Sequence, residues 1–178
     1  EGRYASALTD LDAVARRGQG ALLSLAHSTR ASFLRQLGWH NLARVADGRA
    51  WALVAHRPDA AEARADALVG LAADALGAGR FGVAHRLLER AAADTANSGV
   101  PRQRVRLAWV GAELAMVSGH GEESVAHAEG AVELVGDLDS PRHAVKTDVV
   151  YAAALCMRRV SATRSPASPA VSTAVTAV

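Results

Sequence analysis

Apolar positions recur along this chain with a helical period. Phe81, Ala84, Leu87, Leu88 and Ala91 fall on one stripe, while Arg86, Glu89 and Arg90 fall elsewhere. Spacings of about three and four residues bring side chains to one face of a helix, so the stripe predicts an amphipathic helix with a single buried face. Carried along the chain, this reading predicts helices near 3–17, 21–37, 40–56, 60–78, 81–97, 102–118, 122–136 and 141–160. Alternating runs of β-branched and aromatic residues, the mark of strands, do not occur before the last few positions. The links Arg57-Pro58-Asp59, Asn97-Ser98-Gly99-Val100 and Gly136-Asp137-Leu138-Asp139-Ser140 each contain a breaker or a capping residue.

The punctuation repeats. Gly2, Gly38, Gly79 and Gly119 each precede an Ala-rich helix and stand 36, 41 and 40 residues apart. Five positions after each comes a small residue (Ala7, Ala43, Ala84 or Ser124), and twelve after comes Val14, Ala50, Ala91 or Ala131. Glycine tolerates positive φ and turns the chain without steric cost, and small residues let the returning helix lie close to its partner. A second register agrees, because Val100-Pro101-Arg102 matches Ser140-Pro141-Arg142 at an offset of 40. Proline suits the first turn of a helix, where its missing N–H would be unpaired in any case. The period is too long for one helix and fits a helix–turn–helix unit.

Composition sharpens this picture. Half of the 178 residues are hydrophobic, only 4% are aromatic, and Ala dominates the apolar set. Alanine is the strongest helix former and the smallest apolar side chain, so closely approaching helices are favoured. The formal charge is +2 with both signs interspersed, which does not read as a nucleic-acid footprint. The single cysteine, Cys156, excludes a disulfide within the chain. No apolar run approaches the roughly 18 residues that would span a bilayer. Glu1-Gly2-Arg3 opens into amphipathic sequence without a secretory leader, and the missing initiator Met fits a trimmed chain or a fragment. The segment 161–178 begins rich in Ser, Ala and Pro and ends uncharged and partly β-branched; it is expected to be a disordered tail after a repeat domain over 1–160.

In these glycines, alanines and bulky positions the chain resembles the tetratricopeptide repeat family. The unit from Ala65 to about Val100 matches best, with Leu68, Leu71 and Ala72 in its first helix and Gly79, Phe81, Ala84, Leu88 and Ala91 following in order. The unit from about Ser24 has Ala31, Gly38, Ala43, Ala50 and Leu53, but Asp47 where the family usually has a large apolar residue. The unit from Val105 has Ala112, Gly119, Ala131 and Leu134, with Ser124 replacing an alanine. The resemblance covers about 2–157 and begins and ends with half units; the sequence also looks like the helical-repeat regions of large bacterial regulators. It implies an all-α solenoid, a right-handed superhelix of about eight helices in antiparallel hairpins, with the first helix of each hairpin lining a concave face.

The positions lining that face in the family fall here on Leu25, Ser28, Ser32 and Arg35; on Asp66, Val69, Ala73 and Leu76; on Arg106, Trp109, Glu113 and Met116; and on Lys146, Val149, Ala153 and Cys156. Trp109, Met116 and Val149 are expected to form an apolar floor flanked by Arg102, Arg106, Arg142 and Lys146. An aromatic anchor beside arginines is the residue mix of binding hot spots, so an acidic or amphipathic peptide is the expected ligand. The competing reading packs Trp109 between hairpins and leaves the arginines as a solvated rim. Trp51 is expected between repeats and Trp39 at an exposed turn. No metal-binding His/Cys spacing, nucleophile elbow or P-loop occurs, and Cys156 reads as a small core or groove residue.

The expectation is therefore a cytoplasmic, non-catalytic adaptor without cofactor or metal, binding a protein or peptide and neither nucleic acid nor membrane. Self-assembly through the half-repeat ends is the alternative, and a small-ligand sensor or enzyme ranks last.

Overall fold

A computed structural model describes residues 4–98 and 101–164. Among them are eight α-helices: α1 (Tyr4–Arg17), α2 (Gly20–Gln36), α3 (His40–Val54), α4 (Ala61–Gly77), α5 (Phe81–Ser98), α6 (Pro101–Val117), α7 (Gly121–Val135) and α8 (Pro141–Arg164). A short 3-10 turn, Pro58–Ala60, precedes α4, and no strand occurs among the described residues. Gly2, Gly99, Val100 and 165–178, on which parts of the repeat and tail readings fall, lie outside the described residues. None of the described helices is long and apolar enough to cross a membrane.

Three hairpin bends share one backbone device. Gly38, Gly79 and Gly119 have φ of +78°, +71° and +80°. At each, the glycine N–H donates three residues back and the next N–H donates five back, as in Gly79 to Leu76 O (2.9 Å) and Arg80 to Ala75 O (2.8 Å). This pairing satisfies carbonyls that a helix end would otherwise leave orphaned, and it needs a left-handed residue at the bend.

The repeating small residues sit where the helices meet. Ala43, Ala84 and Ser124, and likewise Ala50, Ala91 and Ala131, are all 0% exposed. Consecutive helices pack on one another, and α2–α4, α4–α6 and α6–α8 are also in contact, so the even-numbered helices form a row. In α1, Ala7 and Val14 are only half-buried, since α1 packs chiefly on α2. Trp51 packs on the cluster of Leu68, Val69, Ala72, Ala91 and Val110, with the Arg90 guanidinium 5.0 Å from its ring centre, and Trp39 is exposed.

Two expectations are revised. First, α8 continues through Arg164, into the stretch read as tail. Nothing in Ser161–Arg164 breaks a helix, and Gly121 admits the passing helix: a Cβ there would lie 3.0 Å from Arg158 Cα and 3.4 Å from Ser161 Oγ. Second, Phe81 on the α5 stripe is 41% exposed, although Ala84 and Ala91 are buried.

Asp47, the departure from the family pattern, is fully buried and ion-paired to Arg35. Arg35 also pairs with buried Asp74 at 3.1 Å and donates to Gly70 O at 3.3 Å. The cluster thus ties α2, α3 and α4 together. One guanidinium faces two carboxyls in a place shielded from water, which disfavours the ionised form of each carboxyl. Burial pushes Asp47 up to about 6 against the opposing pull of Arg35, and burial also raises Asp74. Ser28 Oγ, buried on α2, favours the Asp47 carboxylate without forming a hydrogen bond of normal geometry. Glycine makes the room: a Cβ on Gly70 would collide with the Asp47 carboxyl, and one on Gly77 would lie 2.5 Å from the His40 ring.

Gly70→Ala is therefore expected to lower stability by about 1–3 kcal/mol through overpacking, despite the gain of about 1 kcal/mol that alanine brings to an open helix site. Gly79→Ala, with open space around its Cβ, should cost about 1–2 kcal/mol from backbone conformation alone. Urea midpoints measure both, and an unchanged midpoint for Gly70→Ala would contradict the packing described.

The raised Asp47 pKa fixes a sign for pH dependence. Between its unfolded value near 3.8 and its folded value of about 6, the folded state binds more protons. Stability from this group therefore falls as pH rises through that window. Wild type should gain stability relative to Asp47→Asn when pH drops from 7 to 5; equal responses in denaturant melts would refute the assignment.

Candidate functional site

Each even-numbered helix turns one stripe toward a common hollow. Ser28, Ser32 and Arg35 come from α2; Asp66, Val69, Ala73 and Leu76 from α4; Arg102, Arg106, Trp109 and Glu113 from α6; and Arg142 and Lys146 from α8. Alternating steps of three and four keep each set on one helical face. The hollow has a wider half of about 540 Å³ and a narrower half of about 170 Å³, and Ser32, Arg106, Trp109, Arg142 and Lys146 line both.

The apolar floor differs from the one the sequence suggests. Val69, Ala73, Leu76 and Val110 provide it together with Trp109. Met116 packs instead on the cluster of Ala112, Val125, Ala128, Val150 and Ala154, and Val149 is 60% exposed away from the lining. Leu25 packs on Val54, Ala60 and Ala63, and Cys156 is exposed, neither core nor groove lining.

Trp109 packs against α8 and also faces the hollow. Its indole N–H donates to the buried Thr147 Oγ1 at 3.0 Å, its ring stacks on His143 with centres 5.3 Å apart, and it lines both halves of the hollow. The indole is thus held in place by α8 before any ligand arrives. His143 is in turn tied through Nδ1 to Ser140 Oγ at 2.7 Å. Neither His143 nor His40, which lines the wider half from the first turn of α3, belongs to the lining expected from the sequence. The offset-40 register places His143 opposite Gln103, and that was the one available signal.

The charges are mostly answered within the fold. Asp66 pairs with Arg106 and lies 3.9 Å from Arg102. Glu62 lies 3.4 Å from Arg102 and accepts from Gln103 at 3.2 Å. Glu113 holds Lys146 at 2.6 Å. Among the described residues, Arg142 makes no ion pair, although it is exposed and lines both halves. The local potential is positive: burial first, then Arg102, Arg106 and Arg142, lower the His143 pKa. Burial, with Arg35 and Arg142 adding to it, likewise lowers Arg106 to about 10, so it remains charged at neutral pH.

A second hollow of about 510 Å³ lies among α5, α6 and α7, with Phe81, Leu88, Leu107 and Leu114 in its wall. Its histidines face carboxylates locally: His85 lies 3.6 Å from Glu89, and Glu123 lies 3.2 Å from His120 and 3.8 Å from His127. It therefore presents no cation comparable to Arg142. Among the described residues, no three His, Cys, Asp or Glu side chains are arranged to hold a metal ion. No protein-family model, curated protein or solved structure matches the chain.

Proposed function

We propose that the protein is a non-catalytic interaction module, a tetratricopeptide-like right-handed solenoid whose concave groove holds a segment of a partner protein. One observation supports this above the others: four successive even-numbered helices present side chains to one elongated hollow, with an immobilised tryptophan where its halves join. A fixed aromatic anchor loses little entropy on binding, and an apolar floor within a charged rim is the build of a protein-recognition surface. The alternating bends and the contacts between every second helix favour the solenoid reading.

Trp109→Ala should abolish co-purification of the partner from an extract of the source cells, while the far-ultraviolet helical signal stays unchanged. Undiminished recovery with the variant would move the binding surface elsewhere.

A second reading, self-assembly, rests on α8. Val145, Val149 and Val160 are 63%, 60% and 43% exposed on this last described helix, and Cys156 is exposed beside them. A second copy covering that stripe would raise the solution mass with concentration, and Val149→Glu would return it to the monomer value. A mass that stays monomeric across a hundredfold concentration range would rule this reading out.

A further inference from the structure

The narrow half of the groove has an imbalance that the fold itself does not resolve. Arg102, Arg106, Arg142 and Lys146 line it against one carboxylate, Asp66. From outside the lining, Glu62 answers Arg102 and Glu113 answers Lys146. Asp66 answers Arg106. That leaves one cation, Arg142, in the same wall as the Trp109 indole. Immediately beyond the indole, the wider half is walled by Val69, Ala73, Leu76 and Val110.

We infer that this groove recognises a two-part element in its partner, an internal Asp or Glu side chain paired with Arg142 and a neighbouring apolar side chain laid against Trp109 in the wider half. The inference rests on the groove being the binding surface. One unanswered cation calls for one negative charge, which a carboxylate supplies, whereas a phosphate group carries closer to two. The planar guanidinium can hold a carboxylate through two parallel N–H donors, an arrangement that lysine cannot supply. Arg102 and Arg106 are held by Asp66 and Glu62, so they contribute field without being free to bind. Desolvation next to Trp109 would strengthen the new pair relative to one in open water.

The test begins with a displayed library of random dodecapeptides selected on the full chain. Selected peptides should carry Asp or Glu beside an aliphatic or aromatic residue. Replacing that acid by its amide should weaken binding at least tenfold by fluorescence anisotropy. Arg142→Gln should weaken the acidic peptide by a similar factor and leave the amide peptide unchanged, a non-additivity expected only of a direct pair. Arg158→Gln, at the other end of α8, should change neither. The acidic peptide should also raise the His143 pKa followed by nuclear magnetic resonance, because it neutralises part of the field that now lowers it; binding then tightens as pH falls toward 6.

If Arg142→Gln has no effect, or weakens both peptides equally, while Trp109→Ala abolishes binding, the acidic subsite is wrong and the groove reading survives. If a phosphoserine peptide binds more tightly than its Asp or Glu counterpart, the carboxylate assignment is overturned in favour of phosphate. If no peptide is selected, or selected peptides ignore both variants, the subsite and the groove reading fall together.

Discussion

Helices can approach closely only where the side chains between them are small, and in this protein alanine fills that role at almost every crossing. An alanine methyl buries little surface, so each contact adds little hydrophobic free energy. The gain comes from many dispersion contacts between backbones brought near one another. Such packing has no slack, and a larger side chain at Ala43, Ala84 or Ala91 would have no cavity to enter. The same constraint frees the larger residues. With the crossings filled by alanine, Trp109, the arginines, Ala73 and Leu76 line the groove, and Val69 reaches it from the core.

The Arg35, Asp47 and Asp74 cluster works by different physics. Burying three ionisable groups costs more desolvation free energy than their mutual attraction returns unless the geometry and proton count are right. Here Asp47 and Asp74 together carry one charge more than Arg35 answers once both are ionised, and Gly70 supplies the space. The cluster adds directional demand where alanine packing is permissive: a slip of α3 against α2 would separate Asp47 from Arg35 and strand a buried charge. It also holds Arg35 at the edge of the groove, so the same side chain serves the core and the lining.

Much of this architecture could be read from residue spacing. The glycine and alanine registers locate the bends and crossings because these are local requirements, met by the same residue each time. The resemblance to the repeat family likewise points to Ser28, Ser32, Arg35, Asp66, Val69 and Arg106, which line the hollow. What spacing omits is the partner across a gap. Asp47 looks like a defect until Arg35 and Gly70, distant in sequence, are placed beside it. His143 looks incidental until it stacks on Trp109. Met116 and Val149 share a stripe with lining residues, yet Met116 packs on the cluster shared with α7 and α8, and Val149 stands in solvent. The end of α8 was misplaced because Ser and Ala mark both flexible tails and helices, and Gly121 decides between them.

The bends at Gly38, Gly79 and Gly119 also bear on how the chain finds its shape. Each hairpin closes through hydrogen bonds spanning only a few residues, and helices contact those next to them or one beyond. Such a topology asks for little loop-closure entropy before contacts begin to repay it, which places it among fast-folding architectures. Hairpins of this kind can form separately and join in any order. The exception is the stretch from α2 to α4, where the buried ion cluster requires three helices to be present together. Within that stretch, losing any one helix would leave a buried charge without its partner, so the three helices are expected to open together.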